Sequence, residues 1–237
     1  GLVGSEMCIR DRSGGVDSSV TASLCVRALG RDRVLGVIMP TNFTPKEDIE
    51  DALKLAQQLG IQTRYVDIQE ISEAFFRGLN ADPEDPRQRI PLANVRARIR
   101  MIILYYYANL HRCLVAGTSD RSERLIGYFT KYGDGGVDFM PIAHLYKTQV
   151  RALARYLGVP ERIASKPSSP QLYPGHKATD EIPLDYDRLD PVLHGLFDLH
   201  LSPEQVSQLT GIPTHTIQEV KKRHENTQHK RETPPLI

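Results

Sequence analysis

The sequence predicts an α/β fold, a doubly wound and mostly parallel sheet with helices on both faces. Short apolar runs alternate with helical segments of ten to fifteen residues, and a glycine pair stands where a strand would hand over to a helix. The 237 residues, 40% apolar and 25% charged, suffice for one sizeable core.

The elements follow in order. In "DRSGGVDSSV" (11–20), Gly14 and Gly15 let the backbone bend and bring its N–H groups close to a ligand, while Asp17, Ser18 and Ser19 suit a first helical turn. From Val16, the apolar residues Val20, Leu24 and Ala28 recur at helical spacing until Gly30. "VLGVIMP" (34–40) reads as a buried parallel strand. The segment from Pro45 to Gly60 reads as a helix with Ile49, Ala52, Leu53, Ala56 and Leu59 on one face. "IQTRYVDI" (61–68) alternates as a strand, a long helix begins near Asn94, and "CLVAGTS" (113–119) is a further strand. The stretches 80–91 and 166–181, rich in proline and without a period, read as long functional loops.

The first twelve residues read differently. "EMCIRDR" carries four charges where a buried strand should lie, and the run resembles a recurrent artefact of assembled sequence data. Residues 1–12 are therefore expected to be non-native, with the first strand missing or mimicked. Residues 13–237 are expected to form a single domain, its helical C-terminal part at 186–224 and a substrate-covering tail at 225–237.

The totals exclude several classes. A net charge of +1 gives no global attraction to nucleic acid or anionic membrane, and no apolar run is long enough to span a bilayer. Three scattered cysteines without a C-x-x-C pair suggest neither a zinc site nor a disulfide framework, and fit a reducing cytoplasm.

The glycine motif is not a Walker A loop, because no Gly-Lys-Ser/Thr occurs. "SGGVDSS" resembles the pyrophosphate loop of the ATP pyrophosphatases. "NVRARIRM" (94–101), "GTSDRSE" (117–123), "GYFTKYGDGGVDFMPIAHLYKTQV" (127–150) and "HKR" (229–231) then match the ammonia-dependent NAD synthetases in order and spacing. The resemblance runs from about Ser13 to Arg231 and implies an adenine nucleotide alpha hydrolase-like fold. It also implies a ligase: the carboxylate of deamido-NAD attacks the α-phosphorus of ATP, pyrophosphate leaves, and ammonia converts the acyl-adenylate to NAD and AMP.

Site residues follow from the same resemblance. Ser13, Gly14, Gly15, Val16, Asp17 and Ser18 match the phosphate loop, with Thr118, Lys147 and Ser169 as further ATP contacts; Asp17 and Lys147 are the expected catalytic pair. Asp17 and Glu123 match carboxylates for Mg2+, an ion that prefers hard oxygen ligands. Arg98, Lys131, Asp138, His229 and Lys230 match contacts to deamido-NAD. Without the family match, Asp17 reads as a helix-capping acid, Glu123 as a solvated acid and Lys147 as a solvated residue of a helix start.

The resemblance implies a homodimer using ATP, deamido-NAD and ammonia, with a separate glutaminase left open. "LYPGH" and "EIPLDYDRLDP" depart from the usual family versions and suggest a subgroup. Two alternatives are weighed: another ATP pyrophosphatase-type ligase or amidotransferase subunit, and a helix-turn-helix DNA-binding protein. The second rests on "SPEQVSQLTGIPTHTIQEVKKR" (202–223), with Val206, Leu209, Ile217 and Val220 as its apolar positions. Its second helix opens without arginine and the chain is nearly neutral, so two packed terminal helices are preferred.

Overall fold

In the computed structural model the described residues are 6–9 (backbone only), 14–166, 173, 181–234 and 236. Four parallel strands form the sheet: β1 (Glu6–Ile9), β2 (Val34–Ile38), β3 (Gln62–Tyr65) and β4 (Cys113–Ala116), in the order β3-β2-β1-β4. The position where the first strand was expected to be missing or mimicked is filled by Glu6–Ile9. Ile9 lies opposite Gly36 on one side and Ala116 on the other.

The N-terminal helices are α1 (Val16–Leu29), α2 (Lys46–Leu59), α3 (Gln69–Gly78) and α4 (Arg89–His111). Because strand side chains alternate between faces, the sheet has two different cores. Val37, Met39 and Val115 pack with Ile99, Leu104 and Ala108 of α4. Val34 and Ala116 pack with Ala22 and Cys25 of α1 and Ala56 of α2.

The remaining helices are α5 (Arg121–Leu125), α6 (Lys147–Tyr156), α7 (Glu161–Ala164), α8 (Tyr186–Phe197), α9 (Pro203–Thr210), α10 (Thr214–Asn226) and α11 (Gln228–Arg231). Helix α1 is covered twice, since Val16 and Val20 also pack against Val150 and Ala154 of α6. That double burial accounts for its many small hydroxyl residues, which return hydrogen bonds to the helix backbone: Ser19 Oγ donates to Gly15 O at 2.8 Å and Ser23 Oγ to Ser19 O at 2.8 Å. Ala28, expected on the apolar face, is exposed.

Two apolar faces differ from the sequence expectation. In α2, Leu53 is exposed and the inward face consists of Asp48, Asp51, Ala52, Leu55 and Ala56. The two acids are buried because Lys166 pairs with Asp48 and Arg162 with Asp51. In α9, Val206 is buried but Leu209 is exposed. Helix α4 begins at Arg89, five positions before Asn94, and Asp85 caps a 3-10 turn at 86–88 by accepting a hydrogen bond from Arg87 N at 2.9 Å. The second half of the expected loop 80–91 is therefore helical.

The pair α9–α10 packs as terminal helices. Ile217 and Val220 join Leu189, Val192 and Leu193 of α8 in one cluster, and Gly211 makes the turn at φ +70°. No helix among the described residues is long and apolar enough to cross a membrane.

Candidate active site

The chain leaves β1 toward β2 on one side, while β4 pairs on the other, which makes the carboxyl edge between β1 and β4 a topological switch point. Ligands of open α/β sheets bind there. The segment after β1 carries Gly14, Gly15 and Asp17, and the segment after β4 carries Gly117, Thr118, Asp120 and Glu123. Adjacent, in-register strands thus deliver two distant segments to one place.

Gly14 adopts φ +67°, and a Cβ there would lie 2.5 Å from Asp48 O. Backbone conformation and space both require glycine. Gly15 is the N-cap of α1 and supplies no side-chain cap, so the first-turn N–H groups have no side-chain acceptor from that position. Val16 is buried in the core at the first helical position. Ser18 is also buried, and its Oγ donates to Gly15 O at 3.1 Å. Ser18 therefore braces the loop.

Lys147, at the start of α6, is the centre of the site. It is 0% exposed, and its Nζ lies 2.7 Å from Asp17 Oδ2, 2.9 Å from Asp120 Oδ2 and 2.9 Å from Glu123 Oε1. This geometry replaces the solvated-lysine alternative with a buried cation held by three carboxylates. Burial opposes the ammonium charge, but Asp120, Asp17 and Glu123 together raise the Lys147 pKa well above its usual value. Burial pushes Asp120 up to about 6 and Glu123 well above the usual carboxylate range, with Lys147 opposing both shifts.

Asp120 is the member that sequence reasoning missed. It is fully buried and caps α5, with Oδ1 accepting from Glu123 N at 2.8 Å. The D-x-x-E spacing of Asp120 and Glu123 after a strand is a helix-start signature, and could have revealed it. Tyr186 was missed too. Its ring centroid lies 5.0 Å from Lys147 Nζ, its hydroxyl is buried without a hydrogen-bond partner among the described residues, and burial raises its pKa well above the ordinary value.

Oxygen atoms of Asp17, Asp120 and Glu123 lie within 4.8 Å of one another. Three carboxylates around one ammonium leave a formal excess of negative charge, and Asp17 Oδ1 is buried with no hydrogen-bond partner among the described residues. Hard, anionic and partly unsatisfied oxygens fit a magnesium-type cation.

Thr118 is half-buried just beyond β4. Ser13 and Ser169 lie outside the described residues, as does most of 166–181. The expected deamido-NAD contacts occupy a second region. Arg98 is exposed and donates to Lys131 O at 3.2 Å, and Lys131 Nζ donates to His229 O. Lys230 Nζ donates to Gly127 O at 2.8 Å and Phe129 O at 2.9 Å, and burial lowers its pKa. Its charge therefore docks the tail onto the turn after α5. Asp138 accepts from Val115 N at 2.7 Å and from the Tyr105 hydroxyl at 3.0 Å, so it is anchored to β4.

Within the tail, Gln228–Arg231 form α11. Arg231 reaches the carbonyls of Arg124 and Leu125 at 3.3 and 3.2 Å, where the end of α5 leaves acceptors free.

A profile of the NAD synthase family matches residues 3–234. The NH3-dependent NAD(+) synthetase of Staphylothermus marinus is 52% identical over 229 residues, 94% of this chain and 81% of that protein. Among solved structures, the NMN synthetase of Francisella tularensis superposes with a TM-score of 0.85 at 31% identity, covering 99% of this chain and 90% of that one. The NH3-dependent NAD synthetase of Campylobacter jejuni, in complex with the nitrate ion, gives 0.80 at 32% identity with the same coverage. A glycine loop and a carboxylate-bound lysine at the β1–β4 edge, in a chain matched over nearly its whole length in sequence and fold, belong to a member of the NAD synthase family.

Proposed function

We infer that this chain amidates deamido-NAD with ammonia at the expense of ATP, through an acyl-adenylate, as a ligase forming a C–N bond. One observation carries the mechanism: Asp17, Asp120 and Glu123 converge on Lys147 directly beside the glycine loop. A carboxylate oxygen of deamido-NAD bonds to the α-phosphorus of ATP while the bond to pyrophosphate breaks. Ammonia then bonds to the acyl carbon, AMP departs with the former carboxylate oxygen, and a proton is lost.

Negative charge builds on the departing pyrophosphate, so the site must supply compensating charge fixed in advance. In this reading Lys147 supplies a cation, and Gly14, Gly15, Val16 and Ser18 supply the loop that seats the phosphates, with Thr118 beside it and Ser13 and Ser169 as further contacts. Asp17, Asp120 and Glu123 would hold Mg2+, which when bound screens phosphate charge. Arg98, Lys131, Asp138, His229 and Lys230 form the proposed deamido-NAD region; Lys230 and Asp138 act there largely by fixing the tail and the segment after β4.

The homodimer belongs to the same reading. Ile71 and Phe75 on α3 and Leu79 at its C-cap recur every fourth residue, and Ile102, Tyr106 and Leu110 do so on α4, all exposed on two helices in contact with each other. Arg98 lies one turn before Ile102 on α4, so the proposed dinucleotide region adjoins this apolar face. A cytoplasmic location completes the reading.

Purified protein supplied with ATP, Mg2+, ammonium and deamido-NAD should release AMP and pyrophosphate in step with NAD, whereas ADP release would contradict the mechanism. Nicotinate mononucleotide should serve as a poorer carboxylate donor; a preference for it would move the substrate assignment toward the Francisella enzyme's product. Asp17→Ala should abolish deamido-NAD-dependent ATP–pyrophosphate exchange, and wild-type exchange in that variant would remove Asp17 from the site.

A further inference from the structure

We propose that Asp190, on α8, is a positioning residue that fixes Lys147 relative to the carboxylates of α5. Asp190 does not touch Lys147 Nζ. It is buried, and each of its oxygens takes one donor from a different helix. Oδ1 accepts from Ser122 Oγ at 2.6 Å, and Oδ2 accepts from Thr148 N at 2.8 Å.

Ser122 completes the link. Its Oγ accepts from Lys147 N at 3.0 Å while donating to Asp190, and it is fully buried between Asp120 and Glu123 on α5. The first two amides of α6, which have no partner inside their own helix, are thus both satisfied by this pair. Gln149 Oε1 accepts from Tyr146 N at 2.9 Å and closes the same turn. One carboxylate therefore ties together the helix that carries the lysine and the helix that carries two of the three acids.

The chemistry explains why a carboxylate suits this position. Both partners present hydrogens, so the group between them must accept twice. An asparagine would keep its amide oxygen for Thr148 N but meet Ser122 Oγ with its NH2, which reverses that bond, leaves the Ser122 hydroxyl hydrogen without Asp190 as its acceptor and removes the negative charge. The Lys147 stem is fully buried and so confined by its packing, and the placement of its backbone therefore sets where the ammonium can stand. A negative charge at the start of α6 also complements the helix dipole. Asp190 comes from the helical C-terminal part, and its link to Ser122 spans 68 positions of sequence. Packing of α8 and geometry at the switch point are thereby coupled.

This inference rests on the functional reading above, and the experiment separates the two. Wild type, Asp190→Asn, Ser122→Ala and the double variant are compared in deamido-NAD-dependent ATP–pyrophosphate exchange, well below each melting temperature. Asp190→Asn is expected to lower kcat about tenfold or more, as misplacement of a charge-stabilising group does, while KM for ATP changes less than about threefold. Ser122→Ala should act in the same direction, and the double variant should be no slower than the worse single one, because both act through one link. Wild-type kcat in Asp190→Asn, with only a lower melting temperature, would overturn the proposal, as would losses that multiply. If Asp190→Asn does not fold, Ser122→Ala decides, since it deletes a single hydroxyl; wild-type kcat there overturns the proposal. Absence of exchange in the wild type would instead overturn the functional reading.

Discussion

Replacing Lys147 by methionine keeps the stem and deletes the charge. The three N···O contacts of 2.7, 2.9 and 2.9 Å each represent about 6 kcal/mol of gross attraction at an effective dielectric constant near 20. Carboxylate oxygens within 4.8 Å of one another repel by about 3.5 kcal/mol per pair or more on the same scale. Without the lysine that repulsion is unrelieved and the acids must take up protons, so the net loss is far smaller than the gross terms, about 3–5 kcal/mol for a broken buried pair. In a chain of 237 residues that corresponds to a melting temperature lower by roughly 6–20 °C. Thermal melts at pH 7.5 should show this deficit. The deficit should shrink near pH 5, where the acids are more readily protonated, and also with millimolar Mg2+, which replaces the missing charge. A variant that melts within about 2 °C of the wild type at pH 7.5, or a deficit unchanged by acid and by Mg2+, would refute this account of the cluster.

Three other perturbations test separate parts of the structure. Gly14→Ala places a Cβ 2.5 Å from Asp48 O at positive φ and should cost about 2–4 kcal/mol while raising KM for ATP; unchanged melting and KM would show that the loop does not need glycine there. Asp120 is held at about 6 in the fold against an ordinary 3.8. Between those values the native state binds more protons than the unfolded chain, so its contribution makes stability fall as pH rises from about 4 to about 6. Asp120→Asn should flatten that slope in pH-dependent denaturant melts, and an unaltered slope would assign it to other groups. Tyr106→Glu, at the centre of the exposed stripe on α4, should yield a monomer in sedimentation equilibrium; an unchanged dimer would place the interface elsewhere.

Much of the scaffold is legible in the sequence because its signals are local. Gly30 and Gly60 end α1 and α2 as their spacing predicts, and β2 and β4 coincide with apolar runs. Local reading fails where the deciding partner is remote. Leu53 reads as part of the apolar face but is exposed, while Asp48 and Asp51 point inward, where Lys166 and Arg162, more than a hundred positions away, receive them.

The site shows the same division more sharply. Gly14 and Asp17 are marked by their own neighbourhood, and Asp120 and Glu123 by a helix-start spacing. Nothing local says that Lys147 joins them across 130 positions, or that Asp190 steadies it from the far helical part. That convergence depends on strand order. With β1 between β2 and β4, the segments after β1 and β4 share one edge; with β4 beyond β3, Asp17 and Glu123 would be separated by two more strand spacings of nearly 5 Å each. Lys147 could not then bridge both. The chemistry of the site is thus a consequence of topology, and residue types alone are insufficient to produce it.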